Sequence, residues 1–308
     1  MSTLGIAIIG PTASGKTRLA ISLALQFGGE IVSCDALQVY RGMDIGTAKA
    51  SAAEQELVTH HMLDIQDPDR EFSAGDYQRM ARAVLRQISV RGLIPFVTGG
   101  TGFYLRALIE GLFEGPERSE QLRERMRSII SRKGPAILHR ALKRVDPDSA
   151  ARIADADAER IIRAYEVYLA TGKTMSWWQK QPRNALEDYR WLKIGIEVPR
   201  EELYRRINTR VEEMFQRNFV EEVEGLLKRY PSAQAFKAIG YRQVAAYLQG
   251  KISLAQAIEE TQLHSRRYAK RQLTWFRSDK TIIWLGIDNV EKEAQEVVGK
   301  FLQDHEKK

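Results

Sequence analysis

At 308 residues, 44% hydrophobic and 28% charged, the chain has globular composition, long enough for one sizeable core and a smaller second unit, which excludes a disordered or fibrous protein. No apolar run approaches the roughly 18 residues of a membrane span, and the short apolar start does not read as a secretory leader; a cytoplasmic protein without a membrane partner is expected. A single cysteine, Cys34, leaves no intrachain disulfide and no cysteine-based zinc site, and reads as a small buried hydrophobe. The net charge of +7 divides as −1 over residues 1–110 and +4 over each of 111–190 and 191–308. The basic excess of the later segments fits a polyanionic partner or solvated helix faces equally well.

The first element is decisive. Ile6-Ala7-Ile8-Ile9 runs into Gly10-Pro11-Thr12-Ala13-Ser14-Gly15-Lys16-Thr17, and a helical pattern follows over Arg18 to Phe27. This is strand, phosphate loop, helix: the glycines let successive backbone N–H groups turn inward on an anion, Lys16 adds a positive charge, and Thr17 offers a hydroxyl to Mg²⁺. The motif does not say which phosphate compound it holds, and ATP is the default.

A second buried strand is expected over 30–34, ending at Asp35, on the sheet edge where open α/β folds bind ligands. A glycine-containing loop follows over 42–49, then an amphipathic helix over 73–90 with Ser73 as its cap. A third strand over 94–97 leads into Thr98-Gly99-Gly100-Thr101-Gly102. Phosphate-hydrolysing relatives and many kinases set a magnesium-holding Asp at the end of such a strand, whereas this one ends in threonine and glycines. That turn is either a second anion-facing surface or only a tight bend.

From about residue 113 to 190 the βα rhythm stops, and helical periodicity over 119–133, 135–145, 147–154 and 157–171 predicts an all-helical insert rich in arginine. Strand character resumes over 191–198, long helices are expected at 200–229 and 253–278, a fifth strand at 281–285, and a charged helix closes the chain. The fold class is therefore α/β: a phosphate-loop core with a mostly parallel five-stranded sheet, formed by 1–112 and 191–308, with a helical insert at 113–190. Within His264 to Arg277, Arg266 with Lys270 and Arg267 with Arg271 stand at i, i+4, a like-charge pairing that an anion would relieve. The interleaved Tyr268, Trp275 and Phe276 suit either a core or stacking on unpaired bases.

Taken together, GPTASGKT at 10–17, SCDALQVYRGMDIGTAK at 33–49, GGTGFYLRALIEGL at 99–112, VDPDSAARI at 145–153, ERIIRAYEVYLATGKT at 159–174, FKAIGYRQ at 236–243 and YAKRQLTWFR at 268–277 resemble the bacterial tRNA dimethylallyltransferases over nearly the whole chain. The one departure is Ala36, where the family commonly has serine.

The resemblance implies transfer of a dimethylallyl group from dimethylallyl diphosphate to N6 of adenosine 37, 3′ of the anticodon, in tRNAs reading codons that begin with U. It assigns the diphosphate, with Mg²⁺, to the phosphate loop and Thr17, and catalysis to Asp35, Thr101 and Arg210, with Asp35 accepting the N6 proton. It implies contacts to the tRNA anticodon stem-loop at Asp35, Ala36, Leu37, Gln38, Thr101, Arg123, Glu159, Arg160, Ile161, Ile162, Arg163, Lys237, Ala238, Ile239, Gly240, Tyr241 and Arg242. A monomer is expected, although the sequence does not determine the oligomeric state. The rival readings are an adenylate isopentenyltransferase acting on free AMP, ADP or ATP, a small-molecule kinase, and a non-enzymatic RNA-binding adaptor.

Overall fold

The computed structural model describes residues 3–306. In chain order the elements are β1 Thr3–Ile9, α1 Lys16–Phe27, β2 Gly29–Ser33, α2 Ala52–Leu57, β3 His60–His61, α3 Ala74–Val90, β4 Ile94–Gly99 and α4 Gly102–Ile109. The insert follows with α5 Glu120–Lys133, α6 Pro135–Val145, α7 Pro147–Arg152, α8 Ala158–Thr171 and α9 Met175–Gln179. The chain continues with β5 Tyr189–Glu197, α10 Arg200–Gln216, α11 Phe219–Arg229, α12 Tyr241–Leu248, α13 Leu254–Arg277, β6 Ile282–Gly286 and α14 Val290–Glu306. It divides into two units, one running to Ile109 and resuming at Leu186, the other Glu110–Ala185.

The sheet has six strands in the order β3-β2-β4-β1-β5-β6, and every pairing is parallel. Parallel strands are covered by helices on both faces, so their side chains are buried in both directions. In β1, Ile6 and Ile8 point into one core with Leu19 and Leu23 of α1 and Ile207 of α10, while Ala7 and Ile9 point into another with Leu85 and Ile88 of α3. This places β1 centrally, with the loop that follows it at the carboxyl edge of the sheet.

Two expectations are corrected. The sixth strand, His60–His61, pairs with Ile31 and Val32, a two-residue element too short and too polar to show a strand period. His61 Nε2 lies 2.6 Å from Glu30, which also accepts from Arg91, so polar contacts and not an apolar pattern mark this edge. The expected helix at 200–229 is two helices, broken where Asn218 takes the left-handed conformation at φ 64°. Amphipathic periodicity continues across the break, and asparagine is among the few side chains that tolerate that conformation.

The insert was expected over 113–190, but β5 begins at Tyr189. Its described residues form helices and no strand, packed around Leu142, Ile161, Ile162 and Val167.

Candidate functional site

The phosphate loop leaves β1 at Gly10 and enters α1 at Lys16, with Gly15 as an N-cap that brings no capping side chain. The first N–H groups of α1 are thus left to an anion, reinforced by the positive end of the helix dipole. Ser14 Oγ is buried without a hydrogen-bond partner. Lys16 Nζ donates to the Pro11 carbonyl at 2.6 Å. Burial, and then the charge of Arg210, lower the Lys16 ammonium to about 8, against an opposing pull from Asp35. A phosphate group would satisfy each of these positions.

Asp35 follows β2 and stands at the carboxyl edge. Its Oδ1 accepts from the backbone N–H of Leu37 at 2.9 Å and of Gln38 at 3.4 Å, which fixes the carboxylate by its own local turn. Gln38 in turn donates to the carbonyls of Thr47 and Ala48. The loop those carbonyls belong to is clamped from below by Glu222 of α11. Its carboxylate accepts from the N–H groups of Asp44, Ile45 and Gly46 at 3.1, 2.7 and 3.3 Å, and from the Tyr241 hydroxyl at 2.6 Å. Burial and the Glu222 charge push the Tyr241 phenol far above its ordinary value, so it stays a donor.

Opposite Asp35, the end of β4 approaches β2 so closely that a Cβ on Gly99 would lie 2.0 Å from the Cys34 carbonyl. No side chain, and hence no metal-binding aspartate, fits there. Thr101 lies two residues on: its N–H donates to the Cys34 carbonyl at 3.2 Å and its hydroxyl accepts from Ala36 N at 3.1 Å. Cys34 itself is 2% exposed, and burial pushes its thiol up to about 12, the inert hydrophobe expected.

Arg210 of α10 closes the arrangement. Nη1 donates to Thr12 Oγ1 at 2.9 Å and Nη2 to the Thr47 carbonyl at 3.4 Å. It lines two adjoining cavities. One, of about 590 Å³, is bounded by Asp35, Thr101, Tyr104 and Tyr268 with Ile207, Val211 and Met214. The other, of about 1330 Å³, is bounded by Lys16, Thr17, Arg18 and Lys49. Burial and the Asp35 charge push the Tyr268 phenol up to about 12, keeping it protonated on the cavity wall.

Comparisons with known proteins show the family. The family model described as IPP transferase matches residues 38–279. The chain is 49% identical to a tRNA dimethylallyltransferase of Koribacter versatilis over 90% of this chain and 91% of the relative. The chain belongs to the IPP transferase family. It is also 50% identical to the tRNA dimethylallyltransferase of Geobacter sulfurreducens, over 91% of each chain. Among solved structures, the full-length tRNA isopentenylpyrophosphate transferase of Bacillus halodurans superposes with a TM-score of 0.74 at 37% identity, covering 100% of this chain and 99% of the other. A eukaryotic dimethylallyltransferase acting on tRNA superposes with a TM-score of 0.81 at 27% identity, covering 98% of this chain and 80% of the other.

Within this IPP transferase the expected positions separate by burial. Asp35, Ala36, Leu37, Thr101, Arg210, Lys237, Ala238 and Ile239 share the smaller cavity, while Ala13, Gly15, Lys16 and Thr17 face the larger. Arg160, Lys237 and Arg242 are exposed. Of the expected RNA contacts, the side chains of Ile161, Ile162 and Tyr241 are 0%, 1% and 0% exposed and belong to packed cores.

Arg123 is also buried, donating to Glu166 at 3.2 Å and Glu159 at 3.3 Å. Burial would raise the Glu166 carboxyl, but hydrogen bonds from Arg163 and Ser119 with the charges of Arg163 and Arg123 hold it below the usual range. Phe276 is core, Tyr268 lines the cavity, and Trp275 is 39% exposed.

The donor set also bears on a metal. Among the described residues no three His, Cys, Asp or Glu side chains cluster to hold one. Thr17, a hydroxyl on the wall of the phosphate-loop cavity, fits an ion whose remaining ligands are phosphate oxygens and water, the usual preference of Mg²⁺. Among the described residues no helix is long and apolar enough to cross a membrane.

The site also holds residues that sequence reasoning passed over. Glu222 and Gln272 come from helices far along the chain, and their only local signal is a polar residue on an otherwise apolar helix face; Tyr268, expected either in a core or stacking on bases, lines the cavity.

Proposed function

We propose that the chain transfers a dimethylallyl group from dimethylallyl diphosphate to N6 of adenosine 37 in tRNAs reading codons that begin with U, releasing diphosphate. The observation that carries this reading is Arg210, which lines both the phosphate-loop cavity and the Asp35 cavity. An anionic leaving group and an amine nucleophile can therefore meet across one guanidinium. Diphosphate suits Lys16, the loop N–H groups and Arg210, and Ile207, Val211 and Met214 offer the prenyl chain an apolar wall.

In the reaction the C1–O bond of the donor breaks, its electron pair leaving on diphosphate, while the N6 lone pair forms the new C–N bond. That lone pair is delocalised into adenine, so the step depends on stabilising the leaving group, the task of Lys16, Arg210 and Thr101. Mg²⁺ held by Thr17 would further neutralise the departing diphosphate. The nitrogen becomes acidic as it bonds to carbon, and the Asp35 carboxylate accepts its proton. The adenine must leave its stack to enter the cavity, at a cost of a few kcal/mol; exposed Arg160 of the insert, Lys237 and Arg242 are the groups we assign to holding the anticodon stem-loop and offsetting that cost.

A kinase reading is disfavoured by the end of β4, where Gly99 leaves no room for a metal-binding carboxylate. The adenylate isopentenyltransferase remains the closer rival. Incubation with radiolabelled dimethylallyl diphosphate and either tRNA or AMP decides: label in tRNA alone supports the proposal, label in AMP alone supports the rival, and label in neither overturns both.

A further inference from the structure

α13 buries one face against the core, and on that face Gln272 is 5% exposed. A buried amide must find hydrogen-bond partners, because orphaned polar groups inside a protein are costly. Gln272 finds them on two different loops. Its Oε1 accepts from the backbone N–H of Thr12 at 2.9 Å, and its Nε2 donates to the Gly100 carbonyl at 2.9 Å. The orientation of the amide is dictated, because an N–H can only donate and a carbonyl can only accept. The space is reserved as well: a Cβ on Gly100 would lie 2.1 Å from Nε2. From these anchors the network reaches the reacting groups, since the Thr12 hydroxyl accepts from Arg210 and the residue after Gly100 is Thr101.

We infer that Gln272 is a positioning residue for the transfer reaction, a strut that fixes the distance between the donor-side phosphate loop and the acceptor-side Gly100-Thr101 turn. The inference rests on the reaction proposed above. Attack on carbon needs the reacting atoms about 3–3.5 Å apart and aligned, and a misplacement of about 1 Å costs on the order of 10²-fold in rate. The loss on removing the strut therefore falls on kcat more than on either KM.

Two variants test this. Gln272→Met keeps the length of the side chain and removes both hydrogen bonds. Gln272→Glu keeps the acceptor for Thr12 but turns a carboxylate on the Gly100 carbonyl, until protonation restores an O–H donor there. With tRNA and dimethylallyl diphosphate, Gln272→Met is expected to lower kcat about 10- to 100-fold, with both KM values little changed and a ratio to wild type that is flat in pH. Gln272→Glu shows a similar defect at pH 8 and recovers relative to wild type as pH falls toward 5; taking the ratio cancels titrations common to both proteins. Amide hydrogen exchange at Thr12, slow in wild type, becomes fast in Gln272→Met. A flat ratio for Gln272→Glu, a rise in KM with kcat unchanged, or unaltered Thr12 exchange overturns the inference. If wild type itself transfers nothing to tRNA, the reaction is wrong, and the Thr12 exchange still decides whether Gln272 couples the loops.

Discussion

The charge balance around Lys16 yields a prediction with two opposite signs. Burial and Arg210 lower the Lys16 ammonium to about 8, and Asp35 pulls it back up. Diphosphate binds the protonated form better, so donor affinity is highest below pH 8 and falls as pH rises through that value. In Arg210→Met one of the two lowering influences is gone while burial remains, so the inflection moves up from about 8 toward, but short of, 10.5. In Asp35→Asn the raising influence is gone, and the inflection moves below 8. Arg210→Met also loses a charge-assisted hydrogen bond to the ligand, about 1.5–3 kcal/mol, a weakening of roughly 10- to 150-fold at pH 7. Calorimetric titration of dimethylallyl diphosphate between pH 6.5 and 10 reads the affinity and, in buffers of different ionisation enthalpy, the proton taken up by Lys16. An inflection that stays in place in both variants, or moves the same way in both, refutes the reasoning.

Asp35→Asn keeps the shape of the side chain but cannot take a proton, so kcat is expected to fall by about 10²–10⁴ with donor binding at pH 7 nearly intact; loss of donor affinity that high Mg²⁺ restores would make Asp35 a metal ligand instead. Arg160→Ala removes an exposed charge and is expected to lower the salt slope of tRNA binding by up to about one, with thermal stability unchanged. By contrast Arg123→Ala, which strips one partner from the buried Glu166 while Arg163 and Ser119 keep theirs, is expected to destabilise the protein by about 1–3 kcal/mol in chemical denaturation; a Tm equal to wild type would contradict that role. Glu222→Ala orphans three N–H groups of the 44–46 loop, and faster amide exchange confined to that loop is the expected result, while uniform loosening of the core would show that the clamp is not local.

The phosphate loop, the parallel sheet and the helical insert are legible in the sequence because their causes are local. An apolar run of four followed by glycines, Lys16 and Thr17 specifies strand, loop and helix through backbone conformation, and a change from βα rhythm to a 3.6 period marks where the insert begins. Asp35 is legible for the same reason, as a carboxylate at the end of a buried strand. Local causes fail where an element is marked by polar contacts or by one residue's conformation, as with the His60–His61 strand and the break at Asn218.

The remaining decisions belong to the tertiary structure. Arg123 and Arg160 look alike as sequence, two arginines on amphipathic helices, yet one is buried against Glu166 and the other faces solvent. Gln272 lies 260 residues from the Thr12 N–H it accepts from, and no periodicity encodes that hydrogen bond. Which polar side chain meets which backbone group depends on how helices pack on the sheet, and that packing is set by the summed burial of many apolar side chains, not by the polar residues it brings together.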